Sequence, residues 1–128
     1  MTTILLAGFL AAHGFVHLAI WLPHPQPQPA APPPFAPDHS ALLTAVSVPQ
    51  ADTHRLAVAL AVAAGLGYLV AGLGVAVGGG WAALFVIAGA VVGLVLKLVF
   101  FNPWLTLGVL LDAAALTSVL VGWPMSLP

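Results

Sequence analysis

The chain has no cysteine, no glutamate and only five charged residues in 128: Asp38, Asp52, Arg55, Lys97 and Asp112. Without cysteine, disulfides, thiolate metal centres and thiol redox chemistry are excluded. Five charges cannot clothe a water-soluble surface, because soluble chains are about 25% charged and this one is 4%. Two basic residues make no patch for a nucleic-acid backbone, so no nucleic-acid partner is expected. A hydrophobic content of 62% is too high for a disordered chain. What remains is an integral membrane protein, a single domain over residues 1–128, with the lipid bilayer as its first partner.

Four apolar stretches have the length a bilayer core of about 30 Å demands, about 20 residues at a 1.5 Å rise. They fall at residues 3–22, 55–77, 81–101 and 103–123 and predict an all-α, antiparallel bundle of four transmembrane helices. The first lacks a basic leading region and ends in Trp21-Leu22-Pro23 rather than a small-residue cleavage site, so it reads as a retained helix. Pro23 closes it, and Asp52 or Thr53 is placed to cap the second. Gly78-Gly79-Gly80 makes a tight turn into the third, and Asn102-Pro103 supplies a cap and first-turn proline for the fourth. Four such spans put Trp21 and Trp104 at one face and Trp81 and Trp123 at the other, where aromatic belts belong.

The connection over residues 23–53 holds nine of the twelve prolines. Its first half is therefore expected as a polyproline-like arm, followed by a short helix over residues 38–46 capped by Asp38 and lying on the membrane surface. Arg55 and Lys97 both lie toward this loop, which by the positive-inside rule would place it in the cytoplasm. A histidine- and proline-rich arm without basic residues favours the outside. The expectation is a multi-pass protein of the cell membrane with cytoplasmic termini.

Helices in lipid associate through close backbone approach at small residues. The second span repeats Ala-Gly-Leu-Gly at residues 64–67 and 71–74, so Gly65, Gly67, Gly72 and Gly74 are packing candidates. Gly89 and Gly93 in the third span and Gly108 in the fourth join them. A self-association face is an equal use for such glycines.

Ionisable groups at membrane depth are costly and mark sites by default. There are four: His13, His17, Lys97 and Asp112. Counted from the long-loop face, His17 and Lys97 lie about 7 Å deep and His13 and Asp112 about 14 Å deep. Spacing of four puts His13 with His17, Gly93 with Lys97 and Gly108 with Asp112 on shared faces. Lys97 and Asp112 should therefore point inward and meet, with His13 or His17 as a third member. Tyr68, Thr117 and Ser118 fall in the other half of the membrane. In the loop, His24, Asp38, His39 and His54 are polar candidates that together can bind a transition metal weakly or clamp the loop to the bundle mouth.

Three chemistries fit the intramembrane cluster. It can fix helix register through neutral histidines and a lysine–aspartate pair. It can hold haem or a transition metal, since His13 and His17 stand one helical turn apart. It can also be a proton- or quinone-linked site whose histidines and aspartate titrate near neutral pH. No nucleophile–base triad, phosphate-binding glycine loop or zincin helix is present, so an enzyme is not the first expectation.

The segments Ala12-His13-Gly14-Phe15-Val16-His17-Leu18, Pro37-Asp38-His39-Ser40 and Phe101-Asn102-Pro103-Trp104-Leu105, followed by Leu111-Asp112, resemble small four-helix membrane proteins of actinobacteria, DoxX-like in outline. The resemblance covers most of the chain. It implies four spans and no established chemistry, and because the acidic and basic residues of DoxX proteins are missing here, no functional residue is carried over. The leading functional expectation is a non-enzymatic accessory or assembly subunit of a bacterial membrane complex, with a membrane-protein partner or a second copy of itself. The competing one is a small redox-linked, proton-conducting or transport protein using the His/Asp/Lys cluster.

Overall fold

The computed structural model describes residues 1–22, 36–37 and 39–122. Within them the chain is all-helical: α1 Thr2–Trp21, α2 Ala41–Ala45, α3 Gln50–Val77, α4 Ala82–Val99, a 3-10 turn Pro103–Leu105 and α5 Thr106–Leu120. α1, α3, α4 and the 3-10 turn continued by α5 are each long and apolar enough to cross a bilayer.

The ends of these elements depart from the expected spans for local reasons. α3 starts five residues early because the cap is Pro49, not Asp52 or Thr53. The Pro49 carbonyl accepts from the backbone N–H groups of both Asp52 and Thr53 at 3.0 Å. Asp52 then falls in the first turn, where a negative charge suits the helix dipole. The fourth span opens as a 3-10 turn, with Asn102 Oδ1 accepting from the Trp104 N–H at 3.0 Å, and α5 ends at Leu120. Between α3 and α4, Gly78 takes φ +67°, the left-handed conformation that lets the chain reverse without a Cβ clash.

Chain neighbours are also spatial neighbours: α1 packs on α3, α3 on α4 and α4 on α5. The first two seams are made of backbone. A Cβ on Gly14 would stand 2.7 Å from the Gly65 carbonyl oxygen, one on Gly72 2.9 Å from that of Ala7, and one on Gly67 3.0 Å from the Gly89 Cα. Gly74 gives the same clearance to the Trp81 ring. Glycine is what permits this approach. Along each seam the contacts climb one helix while descending the other: Gly65 meets Gly14 and Gly72 meets Ala7, and Gly67 meets Gly89 and Gly74 meets Ala82.

Two apolar cores result. One gathers Leu10, Tyr68, Ala71, Val75, Ala82, Val86, Ala90 and Ala115; the other gathers Trp21, Ala57, Ala61, Leu96, Phe100 and Leu105 at the long-loop end. Between them along the helices lie His13, His17 and Asp112, with Lys97 between Leu96 and Phe100 of the second core.

The end of the long connection is stapled onto the bundle. Ser40 Oγ donates to the Val99 carbonyl at 2.5 Å, and Trp21 Nε1 donates to the Pro37 carbonyl at 3.0 Å. Two expectations are corrected here. The short helix spans only Ala41–Ala45 and is capped by Ser40, whose hydroxyl accepts from the Leu43 N–H; Asp38 lies outside the described residues. Leu43 packs on the Trp21 core while Leu42 and Val46 are exposed. Trp21 is no belt residue: it is 3% exposed, covered by this segment, whereas Trp104 and Trp81 are exposed. Trp123, His24 and the polyproline-like arm lie outside the described residues.

Candidate functional site

α1, α3, α4 and α5 each place polar side chains in one buried layer. From α1 come His13 and His17, one turn apart; from α3 Tyr68, from α4 Lys97 and from α5 Asp112. All are buried, Asp112 completely and His13 least, at 6%.

Asp112 is the hub. Its Oδ1 accepts from His13 Nε2–H at 2.7 Å and from the Tyr68 hydroxyl at 2.8 Å, and its Oδ2 accepts from Lys97 Nζ at 2.6 Å. Lys97 Nζ also donates to His17 Nε2 at 2.6 Å. The tautomer of His17 follows from its partners: Nδ1 faces the His13 carbonyl oxygen at 3.0 Å, which only accepts, so Nδ1 carries the proton and Nε2 offers its lone pair to the ammonium. With both histidines neutral, one positive and one negative charge remain, and the layer is neutral overall. No buried side-chain nitrogen or oxygen among the described residues lacks a hydrogen-bond partner.

Aromatic faces close the layer. Tyr68 stands edge-on to the His13 ring at 4.6 Å, Phe9 stacks on it at 5.9 Å, and Trp21 stacks on His17 at 6.5 Å. Two glycines shape the site rather than a helix seam. A Cβ on Gly93 would fall 2.5 Å from Asp112 Oδ2 and 2.9 Å from His17 Nε2, and one on Gly108 would fall 2.5 Å from the Lys97 Cε. Gly93 thus admits the carboxylate and imidazole against α4, and Gly108 is the notch on α5 that takes the lysine stem.

The structure therefore brings together all four ionisable groups that the sequence places within the candidate spans. It also adds Tyr68, which counting by depth assigns to the other half of the membrane. The signal was available: side chains on a helix lean toward its N-terminus, and α3 begins at the long-loop end, so a long tyrosine at this position reaches back toward the histidines. Of the loop candidates, His24 and Asp38 lie outside the described residues. His39 is exposed and His54 half-buried in the first turns of α3. Among the described residues, the group of side chains placed to hold a metal ion is His13, His17 and Asp112, whose ligand atoms lie within 4.8 Å of one another.

No family model, curated protein or solved structure matches this chain. The resemblance to actinobacterial four-helix proteins accordingly rests on the short motifs that carry it.

Proposed function

We propose that this chain is a small multi-pass subunit of a bacterial cell membrane, an antiparallel four-span bundle with cytoplasmic termini, acting as a non-enzymatic accessory or assembly component of a larger membrane complex. The observation that carries this reading is the internal closure of the polar layer. Lys97 and Asp112 point at each other, and both histidines complete the pair instead of turning toward an open space. In a low-dielectric interior such a closed network fixes which helices meet and in what register. Outward, α1 and α5 present Ile4, Leu5, Phe15, Leu107 and Leu110, apolar surface suited to lipid or to a partner's helices.

The test is gentle extraction from native membrane followed by native mass spectrometry. A stoichiometric partner protein is expected, and a chain recovered free of any partner overturns the reading. The arrangement of His13, His17 and Asp112 favours a second reading, a redox-linked, proton-conducting or transport protein. Proton flux into vesicles carrying the purified chain tests it, and wild-type flux that survives both His13→Ala and Asp112→Asn removes it.

A further inference from the structure

The polar layer has a second chemical capacity, independent of whether a partner subunit exists. Two imidazoles and a carboxylate suit borderline divalent transition ions such as Zn²⁺ and Co²⁺. Around a tetrahedral ion with bonds of about 2.1 Å, ligand atoms stand about 3.4 Å apart. Here His17 Nε2 lies 3.8 Å from Asp112 Oδ2, and His13 Nε2 lies 2.7 Å from Asp112 Oδ1. All three ligand atoms lie within 4.8 Å of one another, so side-chain adjustments of up to about 1.4 Å in these separations bring the donors onto one ion.

The supporting bonds of a metal centre are also in place. A ligating histidine usually donates its other ring N–H to a carbonyl or carboxylate, which fixes the tautomer and aims the free lone pair. His17 does this through Nδ1 and the His13 carbonyl, leaving Nε2 directed into the cluster. Asp112 is steadied by the Tyr68 hydroxyl. The centre is filled by a cation of the protein's own, since Lys97 Nζ lies 2.6 Å from both His17 Nε2 and Asp112 Oδ2. An ammonium donating to those atoms engages the same lone pairs that a metal ion would.

We propose that the layer is a cation-exchange site for a divalent transition ion, with the Lys97 ammonium as the resident cation that the ion replaces. In the exchanged state His13 Nε2, His17 Nε2 and Asp112 are the ligands. His17 already has the required tautomer; in His13 the ring proton moves from Nε2 to Nδ1, with no net loss of a proton. Lys97 lies two residues from the end of α4 at Val99. Its flexible stem lets the ammonium withdraw toward the water at that end. The layer then goes from neutral to one positive charge, and an anion such as chloride at the fourth position restores neutrality.

The probe is Co²⁺ alone, titrated into the purified full chain in detergent and followed by the visible d–d absorption of the tetrahedral ion. Wild type is expected to bind one Co²⁺ per chain with that signature. Lys97→Met, which removes the competing cation, is expected to bind at least tenfold more tightly. His17→Gln and Asp112→Asn are expected to bind at least tenfold more weakly than wild type. Absence of the tetrahedral band in wild type overturns the proposal, and this arm needs no variant to fold. Equal binding by wild type and His17→Gln also overturns it, because the ion then sits on the loop histidines. So does a Lys97→Met chain that is helical and monodisperse yet no tighter than wild type.

Discussion

α3 and α5 lie on either side of α4 and are held to it by opposite means. α3 buries eleven residues, mostly alanine and glycine, and touches its neighbours backbone to backbone at Gly65, Gly67 and Gly72. α5 buries two, Asp112 and Ala115. One helix is held by shape along its whole length, the other by a carboxylate near its middle that gathers three donors from three other helices. Shape-based packing distributes its energy over many weak contacts, so single changes trim it. A charge-based anchor concentrates it, and the loss of one group leaves its partners buried and unpaired.

The change that would strain this contrast most is Asp112→Ala. It leaves the Lys97 charge and both histidines without their hub and is expected to cost about 3–5 kcal/mol, read as thermal or denaturant unfolding in detergent. Because the chain has no native cysteine, a single cysteine at Ala115→Cys reports α5 alone. Its labelling should rise sharply in Asp112→Ala. Unchanged labelling would show that α5 is held by shape after all. Gly67→Ala comes next: its Cβ would meet the Gly89 backbone at 3.0 and 3.1 Å, backbone cannot step aside, and a loss of about 1–3 kcal/mol is expected without increased labelling at position 115.

Tyr68→Phe removes one bond to Asp112 while keeping the ring that packs against His13. Hydrogen bonds between membrane helices contribute about 0.6 kcal/mol on average and up to about 1.7. The expected loss is of that order, and a double-mutant cycle with Asp112→Asn should show coupling. The smallest effects belong to sites outside both modes. The Arg55–Asp52 pair is 3.2 Å long and solvent-exposed, so Arg55→Ala should shift stability by about 0.5 kcal/mol or less. Gly8 has nothing within 4 Å of an added Cβ, and Gly8→Ala should be neutral or stabilising by up to about 1 kcal/mol.

The same contrast explains how much could be read beforehand. The four long helices follow from hydrophobic length, and the meeting of Lys97 with Asp112 follows from spacing of four on glycine-bearing faces joined by a short turn. Those are local regularities, and they survive translation into three dimensions. What escaped depends on side-chain reach or on long-range cover. Tyr68 belongs to the site because its ring leans about a turn away from its own Cα. Trp21 is buried because Pro37 and Leu43 fold back over it, a contact that no periodicity within α1 encodes. Ser40 replaces Asp38 as the cap because its hydroxyl serves two partners at once, the Leu43 N–H and the Val99 carbonyl.

The bond between His13 and Asp112 joins residues 99 positions apart, on the first and last of the four long helices. In the proposed membrane subunit, α1 therefore enters the bilayer during synthesis with two histidines whose hub does not yet exist, and α4 follows with a lysine in the same condition. Only when α5 has left the ribosome can the layer become neutral. Until then the chain carries polar groups without their hub, which is costly at membrane depth. Closure of this one carboxylate onto its three donors thus separates an unfinished chain from a finished one.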